Sequence, residues 1–418
     1  MKKSIIYQVL PRLWKNGKFS DWQTESFDYL KSLKVDYVWF TGIMRHASGE
    51  DWVKGNPGCP FAITDFYDVN PYLADNPATR MKEFCQLVER THDNGMGFIM
   101  DFIPNHTAKC GANSLPVTGW HDYDWSDTMK IDYSNQETWS RMLEIVLFWA
   151  SKGVDGFRCD MVELVPQDFL SWLIAETRKM YPQTLFIGEV YNRQNYWRFA
   201  MEIGFDLLYD KSGMYDTLRA VTCSGMTTKS ITWNWQSMGD FLKPKMLNFL
   251  ENHDEQRVAC PDFAGSPQKA YAALAVSLLF NESSFLIYSG QECGENASES
   301  DNGRTSIFDI RKPSSLENPD LKVLGRYRSI LALASSDLIR EGRNWDLCYC
   351  NSPETGFDPD HHFAFLRMDG KDAVLVVSNF SDFPATMNIH IPEETGLAPG
   401  FFNVTVPAWD YMILDLPV

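Results

Sequence analysis

The chain has 418 residues, of which 44% are hydrophobic and 14% aromatic, and its formal net charge is −17. This length exceeds the usual range of a single domain, so we expect one large domain and one small one. The negative charge argues against nucleic acid and an anionic membrane surface as partners, because both would repel the protein, and it favours a neutral substrate.

Short apolar runs alternate with amphipathic segments over residues 1–337, and this alternation predicts a (β/α)8 barrel, an α/β fold of the TIM type. The runs lack a helical period, as buried parallel strands do, and they fall at 4–10, 35–41, 96–103, 154–160, 184–190, 204–209, 245–251 and 283–289. The amphipathic segments include 24–34, 79–94, 136–152, 166–181 and 266–280. A doubly wound sheet is the alternative, but it usually has fewer strands and often a Gly-rich phosphate loop, and the sequence contains no GxGxxG or Walker segment.

Two parts of the chain depart from this alternation. Loops 43–65 and 104–132 are rich in Gly, Pro, Asn, Asp and Trp, and the second is predicted to form a small loop subdomain after the third strand. From residue 338 to 418 the pattern changes to short alternating segments separated by turn residues, which predicts an antiparallel β-sandwich domain. These segments are 362–367, 373–379, 386–391, 401–406 and 410–416.

The cysteines and the hydropathy indicate a cytoplasmic protein. The nine cysteines are scattered, with no CxxC or Cys/His cluster, as expected in a reducing compartment. The start, MKKSIIYQVLPRLW, has too short an apolar stretch for a secretory signal, so we interpret it as the first strand. No apolar run reaches membrane-spanning length. The oligomeric state is left open.

Three acidic residues stand where predicted strands stop. Asp160 ends VDGFRCD, Glu189 follows TLFIG, and Asp254 ends MLNFLENHD. The carboxyl ends of the strands of a parallel barrel form the rim at which its chemistry takes place. A single such carboxylate is more often structural, but three at one rim predict acid/base and nucleophilic catalysis.

The segments that carry these acids resemble a known family. DFIPNH at 101–106, GFRCD at 156–160, GEV at 188–190 and ENHDE at 251–255 occur in this order on predicted strand ends. Together with QVLPRLW, TDFYDVNP and SFLIYSGQE, they are similar to the α-amylase family of retaining α-glucoside hydrolases, glycoside hydrolase family thirteen. The resemblance covers most of the chain and implies both the barrel and the sandwich domain.

The resemblance implies a role for each acid. Asp160 matches the nucleophile, Glu189 the general acid/base, and Asp254 the acid that stabilises the oxocarbenium-like state. Glu189 must begin protonated, so we expect its neighbours to raise its pKa. Because Asp160 and Glu189 end neighbouring strands, we expect the short carboxyl separation of a retaining enzyme, about 5–5.5 Å, and a covalent glucosyl-Asp160 intermediate.

Further positions match residues that hold the substrate. Arg158 matches the arginine that keeps the nucleophile ionised, Asp101 the acid that pairs with it, and His106 and His253 the histidines that hold sugar hydroxyls. The outer subsites are expected to use Glu163, three residues after the nucleophile, and the pair Asp301 and Arg304, although a solvated loop pair is an equal alternative for the last two. A tyrosine that commonly stacks on the sugar is replaced here by Phe61.

The family's calcium site is expected to be absent. Asn105 matches one usual ligand, but Lys130 and Leu164 fall on usual ligand positions. Calcium takes six to eight oxygens, and a lysine ammonium near Asn105 could replace its positive charge. We therefore expect no obligatory cofactor.

The expected function is hydrolysis of α-1,4-linked glucans, especially maltooligosaccharides derived from starch. Two alternatives stay open. A transglycosylase, or a hydrolase of trehalose, sucrose or an α-1,6 linkage, would use the same site. A non-catalytic sugar-binding protein on this fold is disfavoured, because all three carboxylates are present.

Overall fold

A computed structural model describes residues 2–55 and 57–416. Met1 and residues 417–418, at the ends of the two predicted domains, and residue 56, inside the predicted loop 43–65, lie outside the described residues.

Eight parallel strands form a closed barrel in which each strand neighbours the next along the chain and the eighth closes on the first. The strands are β1 (Ile5–Val9), β2 (Tyr37–Phe40), β3 (Gly97–Phe102), β4 (Gly156–Cys159), β5 (Leu185–Gly188), β6 (Leu207–Tyr209), β7 (Met246–Phe249) and β8 (Ser284–Tyr288). Each lies within its predicted run, and nearly every residue in them is buried. The predicted barrel is therefore confirmed.

The helices are α1 (Thr24–Ser32), α2 (Arg80–Asp93), α3 (Gln136–Ser151), α4 (Gln167–Met180), α5 (Asp216–Cys223), α6 (Lys229–Ser237), α7 (Tyr271–Leu279), α8 (Ser314–Glu317), α9 (Leu321–Ala334) and α10 (Asp337–Glu341). Five of these helices, α1–α4 and α7, lie in the predicted amphipathic segments, and the other five were not among those segments. Local chemistry sets their ends: the Asn135 side chain caps α3 by accepting from the Glu137 amide. Gly153, with φ +93°, takes the left-handed conformation just past the end of α3.

The chain divides into two compact units. The first comprises residues 6–209 and 305–313, and the second comprises 1–5, 210–304 and 314–418. The first unit has two short antiparallel pairs: Met44–His46 with Ile63–Val69, which extends past the predicted loop 43–65, and His106–Ala108 with Thr128–Lys130 within the predicted loop 104–132. The second pair forms the small subdomain expected after the third strand.

The second unit contains the C-terminal antiparallel domain. Its strands are β9 (Arg343–Asp346), β10 (His362–Met368), β11 (Ala373–Asn379), β12 (Ala385–Ile391), β13 (Gly400–Val406) and β14 (Tyr411–Leu416). They form a four-stranded sheet in the order β9-β10-β11-β14 and a two-stranded sheet of β12 and β13. Side chains of both sheets, including Leu366, Val377, Met387 and Val404, share one buried core. The sandwich is confirmed, with β9 as a strand that the sequence patterns did not reveal; the boundary at 337/338 stays a prediction.

Within the described ranges, no helix combines the length and hydropathy that crossing a bilayer requires.

Candidate active site

Strand register places the acids of the first unit side by side at the carboxyl-terminal ends of β3, β4 and β5. Asp101 on β3 pairs with Arg158 on β4, and Cys159 at the end of β4 pairs with Gly188 at the end of β5. The residues that follow, Asp160 and Glu189, continue this ladder: the Asp160 amide donates to Phe102 and the Glu189 amide to Cys159. Sequence position on parallel strands therefore places their side chains at the same carboxyl-terminal edge.

The Arg158 guanidinium joins three carboxylates. Its Nη1 lies 2.7 Å from Asp160 Oδ1 and 3.7 Å from Asp101 Oδ1, and its Nη2 lies 2.7 Å from Glu189 Oε1. The Arg158 side chain is fully buried, so these attractions are screened little by water. One planar cation thus contacts one oxygen of the predicted nucleophile and one oxygen of the predicted acid/base.

Glu189 accepts two further hydrogen bonds. The Met161 amide donates to Oε2 over 2.7 Å, and the Tyr191 hydroxyl donates to Oε1 over 2.9 Å. Met161 has φ +44°, a left-handed conformation that costs a non-glycine residue free energy and aims its amide at the acid. All these contacts favour the ionised carboxylate and therefore oppose the raised pKa that the acid role requires; the raised pKa of Glu189 stays a prediction.

The Asp101 carboxylate also accepts two hydrogen bonds from the segment around β2. Its Oδ1 accepts from Trp39 Nε1 over 3.2 Å and its Oδ2 from the Gly42 amide over 3.1 Å. Burial raises the pKa of Asp101 to about 7, against the opposing effect of Arg158. Asp101 therefore contacts the arginine from β3 while Trp39 and Gly42 hold its carboxylate.

Loops of the first unit contribute Phe61, His106 and Trp125. The Phe61 ring centroid lies 5.4 Å from the Arg158 Cζ, so the loop after β2 does bring Phe61 to the site. His106, in the short strand after β3, is buried, and burial lowers its pKa to about 4. Its ring lies 5.3 Å from that of Trp125. A neutral imidazole here is suited to hydrogen bonding with hydroxyl groups.

Glu163 supports the loop after β5. Its carboxylate accepts from the amides of Tyr191 and Asn192 over 2.8 and 3.1 Å, and from Asn195 Nδ2 over 2.6 Å. These contacts fix the segment that carries Tyr191, and through it the Tyr191 hydroxyl on Glu189. The structure thus gives Glu163 a positioning role beside its predicted place at the outer subsites.

His253 and Asp254 lie in the second unit, in the segment that follows β7. His253 is fully buried, and its Nε2 lies 3.1 Å from Asp254 Oδ2. Asn252 Oδ1 accepts from the amides of Asp254 and Glu255 over 2.9 Å each, which folds the chain sharply at the strand end. Asp254 therefore follows the carboxyl end of its strand as Asp160 and Glu189 follow theirs. Asp301 and Arg304 lie farther along the same unit, as exposed side chains of the loop after β8.

The residues at the expected calcium position do not fit the ion. Asn105 Nδ2 donates to Asp122 Oδ2 over 2.9 Å, and Lys130 Nζ donates to Asp122 Oδ1 over 3.1 Å. Lys130 thereby compensates the charge of Asp122 and brings an ammonium, whereas calcium takes six to eight oxygen ligands. Leu164 offers no side-chain ligand, and the described residues contain no group of three His, Cys, Asp or Glu arranged for a metal.

Three contacts of the site were not predicted from the sequence. Tyr191 hydrogen bonds with Glu189, Trp39 with Asp101, and Arg158 Nε donates to the Tyr209 hydroxyl over 3.2 Å. Tyr209 is the last residue of β6, so its position at a strand end was the one available signal. Trp39 has no such signal, because it lies within a continuous apolar run.

Comparison with known proteins identifies the fold and the family. The family model described as the catalytic domain of α-amylase matches residues 8–113 and 120–376, most of the chain. The chain belongs to the α-amylase family. The resemblance predicted from the four motifs is thereby confirmed, and it assigns the chain to a family of enzymes that act on O-glycosyl bonds.

Individual relatives of this α-amylase family member are distant. Alpha-amylase MalA of Haloarcula japonica is 26% identical over 412 residues, which cover 92% of this chain and 56% of that protein. Alpha-amylase 3 of Dictyoglomus thermophilum is 22% identical over 351 residues, 72% of this chain and 66% of that protein. The chain thus spans little more than half of the Haloarcula protein's length. Among solved structures, the noncanonic maltogenic α-amylase AmyB of Thermotoga neapolitana has a TM-score of 0.77 at 21% identity over 99% of each chain.

Proposed function

We propose that the protein is a retaining glycoside hydrolase that cleaves α-1,4-linked glucans, in particular maltooligosaccharides. The observation that carries this proposal is the single buried guanidinium of Arg158, which contacts both Asp160 and Glu189 at 2.7 Å. A retaining reaction needs these two carboxyl groups close together, about 5–5.5 Å apart, whereas an inverting one needs room for a water between them. One guanidinium spanning both carboxylates supports the smaller separation.

The first step forms a covalent intermediate. An oxygen of Asp160 attacks the anomeric carbon while the bond from that carbon to the glycosidic oxygen breaks. Glu189 gives its proton to the departing oxygen, so the leaving sugar departs neutral and Glu189 becomes a carboxylate. Arg158 keeps Asp160 ionised, since a guanidinium at 2.7 Å favours the charged form of a carboxylate.

The second step reverses the roles. Glu189, now ionised, takes a proton from a water whose oxygen attacks the same carbon, and the bond to Asp160 breaks. Two displacements at one carbon retain its configuration. In this proposal Asp254 stabilises the positive charge that develops on the sugar ring in both steps, and His106 and His253 hold its hydroxyls.

The relatives and the net charge support the proposed substrate class. Two matched proteins are named α-amylase and one cyclomaltodextrinase, and a chain of net charge −17 suits an uncharged glucan. The proposal includes no nucleic-acid or membrane partner and no obligatory cofactor. Each of the nine cysteines is a free thiol, which supports a cytoplasmic location.

The test is incubation of the purified protein with maltoheptaose, with products followed by chromatography and their anomers by NMR. We expect progressive shortening, α-anomers as first products, and loss of both in Asp160→Asn. First products of β-configuration would overturn the retaining mechanism, and intact maltoheptaose would overturn the proposed substrate.

A second candidate is transfer of the glucosyl group to another sugar. A protein named alpha-1,4-glucan:maltose-1-phosphate maltosyltransferase, from Cereibacter sphaeroides, is 26% identical over 49% of this chain. In that case a sugar hydroxyl would replace water in the second step. Products longer than the starting maltooligosaccharide, increasing with added maltose, would identify transfer; trehalose, sucrose and isomaltose would be tested as other substrates.

A further inference from the structure

A groove in the second unit lies on the C-terminal domain. It is bounded by the loop after α5, residues 223–227, and by turns of the sandwich at 358–361 and 380–383. Its volume is about 730 Å³, which falls within the range of about 300–1,000 Å³ common for sites of small organic ligands. The groove is open to solvent and contains none of the residues assigned above to catalysis.

Apolar side chains are displayed in the groove from fixed backbone. Phe383 is 77% exposed, and its carbonyl accepts from Asn379 Nδ2 and from Ser381 Oγ, which holds the turn that presents the ring. Met226, from the other segment, is 49% exposed. Large apolar side chains exposed together in a concavity mark binding surfaces more often than isolated ones do.

Trp409 adds an aromatic side chain carried by a strained backbone position. Its φ is +56°, a conformation in which a bulky residue is a genuine outlier and which often marks a functional position. Backbone hydrogen bonds to Ser381 and from Ala272 hold this conformation. Its Nε1 donates to Asp382 Oδ1 over 2.8 Å, and the Lys269 ammonium lies 4.6 Å from its ring centroid.

The polar lining selects for a neutral ligand rich in hydroxyl groups. Asp358, Asp360 and Asp382 line the groove with Lys269 and His361. Lys229 lies 2.7 Å from Asp360, and His361 lies 2.8 Å from Asp358. The carboxylates leave acceptor positions for hydroxyl donors, because each oxygen can accept more than one hydrogen bond. Their number disfavours an anionic ligand.

We propose that this groove is a second binding site for the α-glucan chain, separate from the site of cleavage. Aromatic rings pack against the C–H faces of sugar rings, and carboxylates accept from sugar hydroxyls, so Phe383 and Trp409 with Asp382 supply both parts of sugar recognition. This inference rests on the proposed function for the identity of the sugar. The site holds the substrate to the protein and makes no contact with the reacting bond.

The experiment uses Asp160→Asn, which lacks the proposed nucleophile, so that maltoheptaose survives during isothermal titration calorimetry. We expect two sugars bound per chain. Adding Phe383→Ala is expected to weaken one of the two sites at least tenfold and leave the other unchanged. Phe401→Ala is the matched control, because Phe401 is another exposed phenylalanine of the same domain, 64% exposed, outside the groove.

The outcomes separate the groove from the proposed function. If the unmodified protein shortens maltoheptaose but Asp160→Asn binds one sugar, or if Phe383→Ala leaves both sites unchanged, the groove proposal falls and the proposed function stands. Absence of both hydrolysis and binding would overturn both. Trp409→Phe provides a second readout, since it keeps a ring but loses the hydrogen bond to Asp382, and it should weaken the same site several-fold.

Discussion

The hydroxyl of Tyr191 provides a direct test of how the acid/base is controlled. In Tyr191→Phe, Glu189 loses one hydrogen bond of 2.9 Å but keeps its contacts with Arg158 and Met161. A hydrogen bond to a charged group contributes about 1.5–3 kcal/mol, and about 1.4 kcal/mol corresponds to one pH unit in a titration. Because Tyr191 is only partly buried and Arg158 contacts the same oxygen, the lower end of this range applies.

The expected result is an upward shift of the alkaline limb of the pH–rate profile by about one pH unit. The direction follows because the lost bond stabilised the ionised form, so protonated Glu189 persists to higher pH. The assay is kcat/KM for a maltooligosaccharide between pH 4 and 10. Tyr67→Phe is the control, since Tyr67 packs against Phe148 in the same unit and does not contact Glu189. An unmoved limb, or one moved to lower pH, would refute the reasoning.

Three further predictions concern catalysis, acid stability and metal. Glu189→Gln should lower kcat for maltoheptaose by about 10²–10⁴-fold but affect an aryl maltoside with a good leaving group less; equal losses would contradict the acid role. Burial lowers the pKa of His46 to about 4 from 6.5. The unfolded chain therefore takes up a proton on this histidine as the pH falls below 6.5 while the folded protein does not, so stability present above pH 6.5 is lost as the pH falls toward 4. His46→Gln should therefore reduce the loss of unfolding free energy between pH 7 and 5 by about 2 kcal/mol, measured by urea denaturation, whereas the exposed His121→Gln should leave that loss unchanged. EDTA should leave the unfolding temperature unchanged, because Lys130 already compensates Asp122; a fall of several degrees would point to a bound metal.

The barrel was predictable because each strand has a local signature. Buried strands such as 184–190 are continuous apolar runs, and helices such as α3 carry an amphipathic period, a cap at Asn135 and a terminal glycine. Each of these signals lies within a few neighbouring residues, so it can be recognised without knowledge of the tertiary structure. β9 was missed because RNWD has neither alternation nor a continuous apolar run, and its pairing with β10 alone makes it a strand.

The sequence by itself determined where the candidate catalytic groups stand along the chain. Asp101, Asp160, Glu189 and Asp254 each lie on or directly after an apolar run, and Arg158 precedes Asp160 by two residues on the same face of β4. Strand register places Asp101, Asp160 and Glu189 of the first unit at one strand edge, and local pattern and motif were enough to mark these positions; the role of Asp254 stays a prediction.

Only the tertiary structure decided what each of these groups touches. That one guanidinium contacts both Asp160 and Glu189 depends on the register of β4 against β5, which no single segment encodes. The hydrogen bond from Tyr191 to Glu189 depends on a loop that Glu163 holds from another strand end, and the left-handed turn at Met161 appears in no periodicity. Hydrogen bonds act over about 3 Å, so their partners are selected by packing between distant segments, and the chemistry of the site emerges only when those segments meet.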